Sequence, residues 1–343
     1  MDLPLGNTMR HFLVIALMIS GALAAQPPGQ IVFVSNRDGQ FNKLWLMNAN
    51  GSEQTQLTFG EGLESDPAWS PEGERIVYVS NPVAGSQATH IVMINRRGGG
   101  QRIVTTELGV YRHPEFSPDG SQILFSNRIT DEQTQLYIVD AAGGVPRHLP
   151  MPLIVPGDVA SFDQPAWAPD GLAIVFWVWR RSEVGTPNFG NLYRAKTDGQ
   201  DLERITDGVG RHRDPAWSPD GRRIAFFAQR PEGEGIFLMD PDGSRLRLLS
   251  TEPALDRSPS WSPDGEWITF VSSRNGSQDI FIMRADGTAS VNLTEGVAPA
   301  DNSPAWSSVV LPQIPTPVQS AGWAETKAGV WTCGSRRPFV FCQ

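Results

Sequence analysis

The residues of this 343-residue chain best equipped for chemistry come in short polar pairs, each just ahead of a proline: Ser65-Asp66, Arg112-His113, Asp163-Gln164, Arg213-Asp214, Arg257-Ser258 and Asn302-Ser303. Carboxylates, guanidinium groups and an imidazole, if gathered by a fold, could move protons, hold a metal or recognise a polar ligand. A metal set can be drawn from His113, His212, Asp66 and Asp214, but spacing alone fixes neither ligand count nor distance, so no metal and no cofactor is assigned. The sequence contains no Gly-x-Ser-x-Gly elbow, no His-Glu-x-x-His, no Walker loop and no Gly-x-Gly-x-x-Gly leading from a strand into a helix. Asn36-Arg37-Asp38-Gly39 lacks the alternating acidic ligands of a calcium loop. No catalytic residue is therefore assigned.

The elements that must position these pairs follow from what comes after each one. Pro-x-aromatic-Ser-Pro-Asp-Gly, or a close variant, recurs at Trp69, Phe116, Trp167, Trp217 and Trp261, and a shortened copy ends at Trp306-Ser307. The aromatic residues are 47, 51, 50, 44 and 45 residues apart, a period at which each unit is one supersecondary element that buries its apolar face only against its neighbours. Within a unit the spacing predicts four strands. The Pro-x-Trp strand is closed by a proline and glycine turn, and a β-branched run such as Ile76 to Val79 follows it. A third apolar strand such as Ile91 to Ile94 comes next, then a Gly-bearing turn and a short fourth strand. The turn acids Asp119, Asp170, Asp220 and Asp264, with Glu72, read as turn-capping acceptors because one stands in every equivalent turn.

The array opens at a second strand, Ile31 to Ser35, and ends on a lone first strand, Pro304 to Ser307. Three strands at one end and one at the other complete a blade if the ring closes, which removes exposed sheet edges. The fold class predicted is all-β, a six-bladed propeller of four-stranded antiparallel blades over residues 31–307, closed by three N-terminal strands and one C-terminal strand.

With Trp-Ser-Pro-Asp-Gly, the Ile-x-Phe strand and the Leu57-Thr58 and Leu293-Thr294 endings in place, the chain resembles the TolB β-propeller family and its WD40-like repeats. The resemblance implies that the Pro-x-Trp strand is innermost, so the polar pairs ring the mouth of a central channel. No counterpart is expected of the α/β domain that precedes the propeller in TolB itself. Candidate ligand contacts at the rim are Asp66, Arg112, His113, Asp163, Arg213, Asp214 and Arg257, and the competing account is a solvated rim whose charges merely pair. The stretch Phe176-Trp177-Val178-Trp179-Arg180-Arg181, running on to Phe189, is expected as the longest loop on that face. Trp177, Trp179, Arg180 and Phe189 could stack on a sugar or anchor a partner, and either Trp serves equally well as inter-blade core.

Composition sets the outer bounds. A hydrophobic content of 40% with 11 Trp supplies a core for one large domain, and a net charge of −9 speaks against a phosphate-binding surface, so nucleic acid is excluded as a partner. Arg10 and His11, an apolar run from Phe12 to Leu23 and Ala22-Leu23-Ala24 predict a secretory signal peptide within residues 1–25, too short to span a bilayer stably. The protein is expected outside the cytoplasm, periplasmic or secreted, and monomeric. Cys333 and Cys342, the 2 cysteines, fall in the Pro-rich tail 308–343; an oxidising compartment would join them in a small loop, the alternative being free thiols. The expected function is non-catalytic binding of a protein, peptide or glycan at the channel face. The alternative is a lyase or hydrolase acting on a carbohydrate or peptide in the channel.

Overall fold

Proline has no N–H for a sheet ladder, and here one proline falls inside every innermost strand. The computed structural model, which describes residues 27–39, 41–82, 86–131, 133–152, 160–180, 190–207, 210–250, 254–296, 300–312 and 314, shows how the chain accommodates it. The innermost strands are Leu63–Trp69, Tyr111–Phe116, Ala160–Trp167, His212–Trp217, Asp256–Trp261 and Asp301–Trp306. In each the pairing register slips around the proline. The residue just before it turns left-handed, with φ of 51° at Asp66, 49° at His113, 52° at Gln164, 54° at Asp214, 53° at Ser258 and 47° at Ser303. This is a β-bulge repeated around the ring.

Among the described residues there are six four-stranded antiparallel sheets and no helix. One sheet joins the two ends of the array: Asp301–Trp306 pairs with Gln30–Ser35, placing Ile31 opposite Trp306, and Lys43–Asn48 and Thr55–Gln56 complete the blade. We call this blade 1 and number the others in chain order. The second and third strands are buried on both faces, as in Gln30–Ser35 and Lys43–Asn48, because each blade lies between two others. The core is accordingly divided into six apolar clusters, each shared by two adjacent blades. The cluster between blades 6 and 1, with Ile31, Phe33, Trp267, Ile280 and Trp306, closes the circle.

The Ser-Pro-Asp-Gly turns lie on the face opposite the polar pairs, here called the turn face. Gly120 donates its N–H to the Ser117 carbonyl at 2.8 Å, and Asp119 Oδ1 accepts the Ser121 N–H at 3.0 Å. Asp170, Asp220 and Asp264 do the same two residues on, whereas Glu72 instead accepts from Arg75 Nε at 2.6 Å. Beyond Trp306 the chain stays on the ring. Leu311 enters the core between blades 1 and 2 with Val309 and Ile314, and Asn48 bonds both the N–H and the carbonyl of Ile314, at 2.7 and 3.0 Å. The predicted signal peptide, Phe189, Cys333 and Cys342 lie outside the described residues.

Candidate functional site

The bulges decide where each polar pair points. The left-handed residue of every pair, Asp66, His113, Gln164, Asp214, Ser258 and Ser303, lines a central channel of about 540 Å³. Below them the channel wall consists of the six prolines, the residue after each, and the ring of aromatics ending at Trp69, Phe116, Trp167, Trp217, Trp261 and Trp306. The other residue of each pair turns away from the lumen, so the rim has two populations with different work.

Within the lumen population, hydrogen bonds join Asp66 to His113 and run from Gln164 through Asp214 to Ser258 across neighbouring blades. Asp66 Oδ2 accepts the His113 N–H at 3.2 Å, Gln164 Oε1 accepts the Asp214 N–H at 3.2 Å, and Asp214 Oδ2 accepts the Ser258 N–H at 3.0 Å. Gln164 also donates its amide to Asp214. Left-handed backbone costs a non-glycine residue about 1–3 kcal/mol and is kept where surrounding structure over-determines it; the cross-blade bonds supply that constraint at Asp66, His113, Gln164, Asp214 and Ser258.

His113 Nδ1 lies 3.0 Å from Asp163 Oδ1, which also accepts from Ser126 Oγ at 2.5 Å and the Gln164 N–H at 2.8 Å. Burial alone would lower the imidazole, but Asp66 and Asp163 outweigh it and hold His113 protonated up to about 9. Burial likewise opposes the Asp163 charge, and His113 with the two donors keeps that carboxyl below its usual range. The pair is thus an imidazolium–carboxylate clamp linking blades 3 and 4.

Half of the outward population is arginine: Arg112, Arg213 and Arg257. Arg112 is exposed, and with Arg128, Ser65, Asp66, Thr89, Tyr111 and His113 it lines a groove of about 470 Å³ between blades 2 and 3. The groove meets the channel at Asp66 and His113. Arg213 lies 5.2 Å from the Phe227 ring centre, and its Nε is buried with no hydrogen-bond partner among the described residues. Arg257 donates to Gln278 Oε1 at 2.9 Å. Phe59, Leu108 and Ile129, which are 73%, 57% and 46% exposed, sit in connections on this same face.

One expectation needs correction. Trp177 and Trp179 are not in a loop: the second strand of blade 4 runs Ala173–Arg180 and pairs along its length. Trp177 packs into the core between blades 4 and 5, and its indole occupies the space a Cβ on Gly190 would take, 1.8 Å from Nε1. His113 and His212 stand in different surroundings. His212 stands two residues before its proline's bulge partner, fully buried, with Nδ1 3.1 Å from the Gly190 carbonyl and Nε2 3.1 Å from Arg230. Burial and then Arg230 push it down to about 4, so it is a neutral tie between blades. The set His113, His212, Asp66 and Asp214 is not brought together, and no group of three possible metal ligands occurs among the described residues.

The residue between the motif's proline and aromatic differs in one blade. It is Ala68, Ala166, Ala216, Ala305 and Ser260 in five blades, but Glu115 in blade 3. Glu115 lines the channel, its Oε2 accepting the Trp167 N–H at 2.8 Å, and burial pushes its carboxyl up to about 8. Aligning the six copies column by column exposes this residue in the sequence; attention to the pairs ahead of the proline passed over it.

A closed six-bladed ring with a polar mouth defines a β-propeller. The chain belongs to the TolB β-propeller domain family, whose model matches residues 8–128 and 164–310. Among solved structures it is similar to TolB from Acinetobacter baumannii, with 23% identity over 81% of this chain and 66% of that one and a TM-score of 0.66. A putative TolB from Agrobacterium tumefaciens shows 22% identity over 80% and 93% of the two chains, with a TM-score of 0.58. A chain of the nidogen/laminin complex matches at 11% identity over 83% and 99%, with a TM-score of 0.62. At these identities the likeness is one of fold. No curated protein matches the sequence.

Proposed function

We propose that this chain is an exported, monomeric, non-catalytic binding propeller that holds a segment of another protein, or failing that a glycan, at the face where its inner strands begin. The observation that carries this is the two-population rim: lumen groups joined by cross-blade bonds, beside an arginine-lined groove whose lining residues Val110 and Arg128 lie close in the chain to exposed Leu108 and Ile129. Polar groups converging on a concavity, with apolar side chains nearby, suit recognition of a preformed ligand. Export is supported by the order of basic, apolar and small residues within 1–25.

One observation favours the enzymatic alternative, a lyase or hydrolase in the channel: His113 lies between Asp66 and Asp163, with Glu115 two residues further along the same strand. Against it, a histidine held protonated up to about 9 is unavailable as a general base near neutrality.

The test is site-specific photo-crosslinking in cells, with the reactive side chain placed at Arg112 or Arg213 on the rim and at Asp220 or Asp264 on the turn face. A defined partner is expected to crosslink from the rim positions alone. Equal capture from both faces, or capture only from the turn face, would move the binding surface elsewhere.

A further inference from the structure

The lumen contains one group that partner binding at the rim leaves unused. Where four blades carry alanine and one carries serine, Glu115 projects a carboxyl into a channel of about 540 Å³. Its hydrogen bond to the Trp167 N–H does not account for the acid, because in blade 6 the Ser260 hydroxyl accepts the Trp306 N–H in the same way, at 3.0 Å. No cation is paired with Glu115 among the described residues. The other titratable groups facing the lumen are Asp66, His113 and Asp214, while blades 4, 6 and 1 face it with Gln164, Ser258 and Ser303. His113 is already committed to Asp163. The lumen therefore holds an excess of carboxylate, walled by proline, alanine and aromatic side chains.

We propose that the channel is a socket for one organic cation, an ammonium or guanidinium on a slim aliphatic stem such as a lysine or arginine side chain of the bound partner, with Glu115 as its counter-ion. The proposal rests on the binding reading above and deepens it by naming the chemistry that the lumen selects. Methylenes of the stem lie against the proline and alanine walls, and the charge reaches a partly buried carboxylate, where an ion pair is stronger than in open water. Burial pushes the empty protein's Glu115 up to about 8, offset in part by the Trp167 N–H. A cation entering near neutral pH therefore displaces the carboxyl proton to solvent, and binding weakens as acid competes.

The probes are n-butylammonium and n-butylguanidinium, with 1-butanol and butyrate as uncharged and anionic counterparts, titrated calorimetrically into the full-length chain in two buffers of different ionisation heat. One cation per chain is expected, with proton release, and affinity falling about tenfold per pH unit below the Glu115 pKa. Glu115→Gln keeps the volume and the acceptor for Trp167. It should lose at least about tenfold in cation affinity together with the proton release, and leave butanol unaffected. If that variant does not fold, Glu115→Ala, which restores the residue of four other blades, serves instead. Equal cation binding by the variant, equal binding of butanol and butylammonium by the unaltered chain, or no cation binding at all would overturn the socket. Rim crosslinks that persist without cation binding remove the socket alone. Cation binding without a rim partner removes the partner reading alone.

Discussion

Two protons held at the channel mouth set how this protein should respond to pH. His113 is raised to about 9 from 6.5, and Glu115 to about 8 from 4.5. For the histidine, a folded-state pKa above the unfolded one means stabilisation that is complete below 6.5 and lost as pH climbs through about 9. For the glutamic acid, the folded state again binds more protons, so stability falls from 4.5 up to about 8. Both act in the same direction, and melting temperature is expected to decline from neutral pH to about 9. His113→Gln should melt lower than the unaltered protein near pH 6, with the gap closing above about pH 9; urea or thermal melts across that range decide it, and parallel curves would refute the clamp. The pairs ahead of each proline were legible as a rim. Which member faces the lumen was not, because that depends on a left-handed bulge that no residue type announces: Asp, His, Gln and Ser all occupy it.

At the scale of strands and turns, the repeat made the blades readable, and misreadings came where local composition was ambiguous. Trp177-Val178-Trp179-Arg180 is a strand end rich enough in aromatics and charge to pass for a binding loop; only its ladder to Gly190–Lys196 settles the matter. The bulge makes its own prediction. Ser303 sits at φ 47° with its hydroxyl, among the described residues, bonded to Asn302 Oδ1, so Ser303→Gly should change stability by no more than about 1 kcal/mol, whereas the β-branched Ser303→Val should cost about 1–3 kcal/mol. Equal unfolding midpoints for the two variants would mean that the bulge is not strained. The aromatic ring is uneven as well. Trp261 is 6% exposed, bonds the Ala216 carbonyl at 3.1 Å and lies 4.7 Å beneath the Arg223 guanidinium, while Trp217 is only half-buried, and its Nε1 has no hydrogen-bond partner among the described residues. Trp261→Ala should cost roughly 3–5 kcal/mol and Trp217→Ala clearly less, as denaturant melts would show; the reverse order would mean that exposure does not rank these sites.

For the molecule as a whole, closure carries the stability, and the strand count at the two ends of the repeat array made it legible. Ending the chain after Ala300 removes a strand that pairs with Gln30–Ser35, takes Trp306 out of the core between blades 6 and 1, and deletes Asp301. Asp301 is fully buried and pairs with Arg37 at 3.0 Å, so its loss strands a guanidinium that is itself only 6% exposed. Breaking one partner from such a pair costs about 3–5 kcal/mol, and loss of a large core aromatic costs a similar amount. Together these approach the about 5–15 kcal/mol net stability of an ordinary domain. The freed edge at Ile31 to Val34 is also long and apolar, which invites pairing between molecules. The truncated chain is therefore expected to be largely unfolded or to associate, and a synthetic peptide spanning residues 300–314 should restore a monomeric, cooperatively melting ring by refilling the gap in blade 1. Light scattering and thermal melts with and without the peptide measure both effects. A truncated chain that stays monomeric and melts at the full-length midpoint would show that each blade stands on its own neighbours and that closure adds nothing.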